Sequence, residues 1–319
     1  MKSLVVGGAG FIGSHLDDAL LARGDEVFCL DNFSLGTKEN IRHLEGTSKF
    51  RLYEADASDM GQLDSVFKEI RPDNVFHLAA NSDIQASAQQ PDIEYRNTYT
   101  TTFNILACMH KYQIHSLFFA STSAVYGDKG DALLSEDTPG LEPVSYYGAA
   151  KLGSEAMISA FAHMNDMHSL IFRFPNVIGP RLTHGVIFDF IKKLRANPAC
   201  LQILGDGTQT KPYIFVKDLI DAILFLVPKN TLAFDICNIG VEGSTSVRTI
   251  ADMVCRSMGL KNVHYDFTGG KTGWKGDVPK FSYDLRKVHA KGWKATHTSD
   301  EAVRLTLESV LGKPGENNR

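Results

Sequence analysis

Apolar positions along this chain fall into short unbroken runs separated by stretches of helical spacing. Residues 2–6 are one such run, the stretch after Gly13 is amphipathic to Arg23, Gly24 stops it, and residues 27–30 form a second run ending at Asp31. That order predicts strand, glycine turn, helix, strand. The alternation continues. A polar loop with a short helix covers residues 32–46, a strand residues 50–54 and a helix residues 60–70, with Ser58 and Asp59 where helix caps belong. After the breaker Arg71-Pro72-Asp73 come a buried strand at 74–80, a long helical stretch at 91–112 and another buried strand at 116–120. Repeated strand and helix over the first 125 or so residues predict a Rossmann-type α/β fold, a doubly wound parallel sheet with ligands at the carboxyl ends of its strands. Further on, a helix is expected at 219–226, a strand returning to the main sheet at 234–239, a helix at 247–258, an amphipathic helix at 300–311 and a frayed end at 315–319.

The first turn carries chemistry. Gly7-x-x-Gly10-x-x-Gly13 follows a strand and opens a helix, the context a dinucleotide fingerprint requires. Gly7 lets the chain turn out of the strand, Gly10 removes a side chain where a pyrophosphate must approach backbone N–H groups, and Gly13 permits close packing. The helix N-terminus adds N–H donors and a positive dipole end. Asp31, at the tip of the second strand, is placed to accept from both hydroxyls of an adenosine ribose; it would repel a 2′-phosphate, and no Arg follows it, so NAD is expected rather than NADP. Asp56 could meet the adenine amino group or serve the following helix as a cap. Ala79 and Ala80 are small enough to let a strand end approach a cofactor.

Composition narrows the partners. With 319 residues, a net charge of −4 and no apolar run near ~18 residues, the chain shows no footprint for nucleic acid and no membrane span. Five scattered cysteines without metal-type spacing are expected to be reduced thiols in a cytoplasmic protein, and Met1 leads straight into the first strand, leaving no room for a signal peptide. No metal is expected.

Ser121 and Thr122 sit at a strand end, where hydroxyls serve either as turn caps or in catalysis. Downstream, Tyr147 and Lys151 stand four apart in a helix opened at Ser145, so they share a face. Moving a tyrosine from a pKa near ~10 toward ~7 takes about 4 kcal/mol of differential stabilisation, within reach of an ammonium and a positive nicotinamide ring in a water-poor site.

Taken together, Gly7-x-x-Gly10-x-x-Gly13, Asp31, Asp56, Thr122 and Tyr147-x-x-x-Lys151 resemble the extended short-chain dehydrogenase/reductase superfamily, in its NAD-dependent nucleotide-sugar epimerase/dehydratase branch. The resemblance continues through residues 173–181, Gly205-Asp206-Gly207-Thr208-Gln209, residues 213–218 and Gly276-Asp277-Val278-Pro279. It implies that Tyr147 is the general base for a sugar hydroxyl, that Lys151 holds the nicotinamide ribose and tunes Tyr147, and that Thr122 bonds the reacting oxygen. It implies further cofactor contacts at Phe11, Ile12, Asn32, Ala57, Leu78, Ser121 and Pro175, and contacts to a nucleotide diphosphate sugar from Asn176, Arg181, Lys211 and Phe281. The reaction implied is C4 epimerisation of a nucleotide hexose through a transient 4-keto sugar.

Relatives that eliminate water carry an Asp-Glu pair after the Thr; here Ser123-Ala124 stand there, which favours epimerase over dehydratase and leaves a decarboxylase or 4-ketoreductase open. A non-catalytic NAD-binding regulator is the reading from another class. Two departures concern the diphosphate: Lys211 and Trp274 stand where the family often has Arg, so either the diphosphate is gripped by Arg181, Lys271 or Lys275 instead or the substrate is atypical. A bulky Phe281 leans toward unacetylated hexoses or uronates. The resemblance also implies an NAD-binding domain over 1–175, rejoined by about 216–240, an interleaved nucleotide-sugar domain over 176–215 and 241–319, and a homodimer formed by the helices at 91–112 and 147–163.

Overall fold

The computed structural model describes residues 1–81 and 84–312; the expected frayed end at 315–319 lies outside them. In chain order the elements are β1 (Lys2–Val6), α1 (Phe11–Arg23), β2 (Glu26–Asp31), β3 (Phe50–Glu54), α2 (Met60–Ile70), β4 (Asn74–His77), α3 (Ile84–Gln89), α4 (Asp92–Glu94), a π-helical turn (Tyr95–Thr100), α5 (Thr101–Tyr112) and β5 (Ser116–Thr122). They continue with β6 (Leu133–Leu134), α6 (Tyr146–Met164), β7 (His168–Phe174), β8 (Asn176–Ile178), α7 (Val186–Ala196), β9 (Cys200–Ile203), β10 (Thr210–Lys211), β11 (Tyr213–Phe215), α8 (Val216–Leu226) and β12 (Phe234–Asn238). The last are β13 (Thr245–Ser246), α9 (Val247–Ser257), β14 (His264–Phe267), β15 (Ser282–Tyr283), α10 (Arg286–Ala290) and α11 (Ser299–Leu311).

The chain forms two compact units. The first comprises residues 1–127, 139–173 and 220–238; the second comprises residues 128–138, 174–219 and 239–319, of which 239–312 are described. Residues 128–138 fall in the second because β6 pairs with β15.

In the first unit a seven-stranded sheet runs β12-β7-β5-β4-β1-β2-β3, with β3, β2, β1, β4 and β5 parallel in sequence and β7 parallel to β12. Strand order reverses between β1 and β4, the switch point where such sheets bind ligands. The apolar runs are buried as expected: Leu4, Val5, Val6, Val75, Phe119 and Ile171 have no measurable exposure. Facing them are Leu63, Phe67, Ile105 and Met109 from α2 and α5. α1 is less two-faced than its sequence suggests, because Ser14 and Asp17 are fully buried beside Leu16 and Leu20. In the second unit, Phe190, Leu194, Ile250, Val254, Val303 and Leu307 close one core from α7, α9 and α11. A capping box between Thr298 and Glu301 starts α11.

Three expectations are corrected. β4 ends at His77 rather than at 80, because the Leu78 and Ala79 amides both turn onto the Val6 carbonyl, at 2.9 and 2.8 Å. β5 is longer and carries Ser121 and Thr122 within the strand. The long helix at 91–112 changes pitch, α at Asp92–Glu94, π at Tyr95–Thr100, then α again. The run Thr98-Tyr99-Thr100-Thr101-Thr102 is rich in threonine, a β-branched residue of low helix propensity. Its hydroxyls help to satisfy the widened turn, Thr101 Oγ1 donating to the Arg96 carbonyl at 3.3 Å.

Candidate functional site

The glycine turn sits at the switch point and is shaped for a bound group. Gly7 has φ +85°, and a Cβ there would lie 2.7 Å from the Ala79 amide nitrogen. A Cβ on Gly13 would lie 2.1 Å from the Gly7 carbonyl oxygen, so the close approach is between helix and turn. At Gly10 a Cβ would meet only that same carbonyl, at 3.2 Å. Gly10 is also the N-cap of α1 and has no side chain to offer its amides. A helix start left open in this way, beside Phe11 and Ile12, suits an anionic ligand. The residues present therefore fit a dinucleotide pyrophosphate.

Asp31 closes the same corner. Its two carboxylate oxygens accept from Ala9 N at 3.0 Å and Phe33 N at 2.8 Å, each with lone-pair capacity left for another donor. Burial raises its pKa, opposed by those two amides. Asn32 beside it is exposed. Asp56 accepts from Ser58 N at 2.8 Å, whereas the cap of α2 is Asp59, accepting from Gly61 and Gln62 amides. Ala57 is buried, and Leu78, Ala79 and Ala80 are half-buried after β4.

Ser145 caps α6 by accepting from Gly148 N at 3.1 Å, which starts the helix one residue before Tyr147. From α6 the Lys151 ammonium donates to the Ala120 carbonyl of β5 at 2.7 Å and lies 4.6 Å from the Phe119 ring centroid and 5.9 Å from that of Tyr147. Thr122 caps the turn after β5 by accepting from Ala124 N at 3.2 Å, and its side chain is near enough to the Tyr147 hydroxyl to pull its pKa downward. Thr122, Tyr147 and Lys151 are thus together at the carboxyl end of β5.

The protein's own charges act on the Tyr147–Lys151 pair. Burial, then the Glu94 carboxylate, pushes the Tyr147 phenol upward, against a smaller downward pull from Thr122. Burial lowers the Lys151 ammonium to about 7, opposed by Glu94 and Glu155. The protein's own groups therefore favour the protonated phenol, and added positive charge would act in the opposite direction.

Four buried groups were missed by the sequence reading. Glu155, one turn beyond Lys151 on α6, accepts from Ser121 Oγ and forms a forked pair with Arg173 of β7, with N···O distances of 2.6 to 3.2 Å. Its i+4 spacing from Lys151 was a usable signal. Arg173 lies 4.9 Å from the Tyr126 ring, and the Tyr126 hydroxyl donates to Asn238 Oδ1 at 2.7 Å, linking β7 and β12 to the turn that follows β5. His77 bonds Thr102 Oγ1 at 2.9 Å through Nε2, and burial, with Lys151 nearby, holds its pKa far below the usual value. Glu94, in a polar stretch that reads as a solvated helix, left no signal.

The remaining candidates belong to the second unit. Lys211 pairs with Asp277 at 2.5 Å and lies 5.1 Å from the Trp274 ring centroid, so the two departures from the family pattern are neighbours. Phe281 is 7% exposed against Tyr283, and its neighbour Lys280 bridges to Thr210, beside Lys211. Asn176 is exposed at the start of β8, opposite Tyr213; Arg181 has φ +67° and is half-buried; Pro175 is buried. Lys271 and Lys275 are exposed.

The sheet, the glycine turn and the Tyr-Lys pair define an NAD-dependent enzyme of the short-chain dehydrogenase/reductase type. The pattern of the NAD dependent epimerase/dehydratase family matches residues 3–240. A putative UDP-glucose 4-epimerase of Methanocaldococcus jannaschii is 33% identical over 95% of this chain and 96% of its own. A crystal structure of UDP-galactose 4-epimerase superposes with a TM-score of 0.86 at 35% identity, covering 97% of this chain and 98% of the other. The UDP-glucuronic acid 4-epimerase of Bacillus cereus, solved with UDP-glucuronic acid and NAD, gives 0.86 at 27%, with 97% and 98% covered. The chain belongs to the NAD dependent epimerase/dehydratase family and is an enzyme of its nucleotide-sugar epimerase type.

Proposed function

We propose that the protein is a UDP-sugar 4-epimerase acting on an unacetylated hexose or hexuronate. The observation that carries this reading is the gathering of Thr122, Tyr147 and Lys151 at the end of β5, followed by Ser123-Ala124, which supply no acid or base for elimination of water. NAD, bound over the Gly7-Gly10-Gly13 turn, supplies a reversible hydride acceptor at C4. Tyr147 takes the proton from the C4 hydroxyl and returns it after the ketone has presented its other face. Thr122 orients that oxygen, and the Lys151 ammonium stabilises the phenolate while the Ala120 carbonyl fixes its position.

In the second unit, Asn176, Arg181 and Lys211 are assigned to the diphosphate and Phe281 to the wall beside the sugar. Its bulk, nearly buried against Tyr283, supports exclusion of an N-acetyl group. The relatives differ in sugar, so Phe281 and the Lys211-Trp274 neighbourhood carry the preference. A homodimer through the helical stretch at 91–112 and α6 is supported by the exposed Tyr95, Phe103 and Met164. A reducing compartment such as the cytoplasm is supported by five free cysteines, four of them buried.

The test is a panel of UDP-, GDP-, CDP- and dTDP-sugars followed by NMR, with Tyr147→Phe alongside. C4 epimers of UDP-glucose, UDP-galactose or UDP-glucuronate are expected, with Tyr147→Phe retaining NAD but losing turnover by roughly 10²–10⁴-fold. A 4-keto-6-deoxy or decarboxylated product overturns the assignment.

A further inference from the structure

The chemistry just described leaves Glu94 without a task, although it is a carboxylate only 1% exposed. It lies at the junction of α4 and the π turn. Its Oε1 accepts from Asn81 Nδ2 at 2.8 Å and its Oε2 from Thr98 Oγ1 at 2.7 Å. Among the described residues its hydrogen bonds are thus to two neutral donors. Buried carboxylates are ordinarily matched by a cation, since desolvation is costly. Such a change of helical pitch is often found at functional positions.

The π turn packs on α6, the helix that carries Tyr147 and Lys151: a Cβ on Gly153 would lie 3.1 Å from the Tyr99 ring. The other described groups facing the pair are accounted for. His77 of β4 is held neutral, Glu155 of α6 is matched by Arg173 of β7, and Tyr126 donates to Asn238. Among the described residues, Glu94 is the buried carboxylate near the pair that no guanidinium offsets. Its field acts on both members, holding the phenol's proton and favouring the ammonium.

We propose that Glu94 is a counter-charge to the Tyr147–Lys151 pair, a positioning residue that keeps a proton on the pair until positive charge is brought beside it. Proton release by Tyr147 is thereby tied to the presence of the oxidised nicotinamide ring, so the base is not formed in a site unable to accept a hydride. The inference rests on Tyr147 and Lys151 being the proton-handling pair proposed above. Glu94 acts in the same direction on both, so the sign does not depend on which of them gives up the proton. Removing a nearby negative charge weakens the pair's hold on protons, so its first proton leaves at lower pH whichever residue gives it up.

The experiment is the pH profile of kcat/KM for the NAD-loaded enzyme and its Glu94→Gln, Glu94→Asp and Tyr147→Phe variants. Glu94→Gln is expected to move the acid limb down by about one pH unit. Glu94→Asp keeps the charge and leaves the limb within about 0.3 unit of the parent, even if kcat falls through the shortened hydrogen bonds. An unmoved limb in Glu94→Gln, with Tyr147→Phe inactive, overturns the role of Glu94 alone. Full turnover by Tyr147→Phe overturns the underlying reading and this one with it. A second measurement needs no substitution at Glu94: carbon-13 NMR of labelled glutamates in the unsubstituted holoenzyme. The Glu94 carboxyl resonance is expected to step at the pH of the acid limb; absence of the step in the unsubstituted enzyme overturns the proposal.

Discussion

In the first unit Glu94, Lys151, Glu155 and Arg173 are each 3% exposed or less, and each is fixed by hydrogen bonds to strand or helix partners. In the second, Asn176 and Trp274 stand open to water, and Lys211 shares a half-buried position with a single carboxylate. The first arrangement ties the reacting groups to the fold, because every polar group withdrawn from water depends on its partner. The second lets side chains be exchanged cheaply, because water replaces what a substitution removes. In the proposed function, chemistry is built into the sheet, and substrate preference falls to groups that can change without endangering it.

The strongest attempt to break this comparison is Arg173→Leu. It leaves Glu155 buried without its guanidinium, and removing one partner of such a pair costs about 3–5 kcal/mol. A large fall in the denaturation midpoint is expected, and a small one would mean that the network is dispensable to the fold. A smaller effect is expected from Lys151→Met, read as a slope. The Lys151 ammonium is depressed to about 7 in the folded chain, against about 10.4 when unfolded. Between those values the unfolded chain binds a proton that the folded chain does not, so stability of the cofactor-free protein rises with pH. Its contribution is fully present above the unfolded value and is lost as pH falls through 7. Lys151→Met should flatten that rise by up to about 1.4 kcal/mol per pH unit, measured by urea unfolding from pH 7 to 9.5. The smallest change in stability is expected from Trp274→Arg, within about 0.5 kcal/mol. It should instead tighten UDP-sugar binding by roughly tenfold, a charged hydrogen bond being worth about 1.5–3 kcal/mol, as read by calorimetry. An unaltered affinity would remove Trp274 from the diphosphate's surroundings.

The sequence made the sheet legible because its strands are apolar runs with no competing period, and the glycine turn because each glycine meets a steric demand. Tyr147 and Lys151 could be paired from helical spacing alone, but the state of the phenol could not: its proton is held by burial and by a carboxylate from another element. The same limit hid Arg173, whose partner is 18 positions away in the chain, and Glu94, whose burial depends on how its turn packs against α6. The Lys211–Asp277 pair spans 66 positions and was equally invisible. Strand ends were misplaced where the backbone turns toward the glycines, a feature fixed by contact between β1 and β4 rather than by composition.

The widened turn at Tyr95–Thr100 has a consequence for the evolution of this segment. An α-helix advances about 100° per residue, so losing one residue there would allow the segment to heal into regular helix while swinging everything on one side of it by more than a quarter turn. Thr98 and Glu94 would part company, and Asn81 would face a different side chain. Length at this point is therefore under tighter constraint than identity, and descendants of this chain should vary the letters of the segment far more readily than their number.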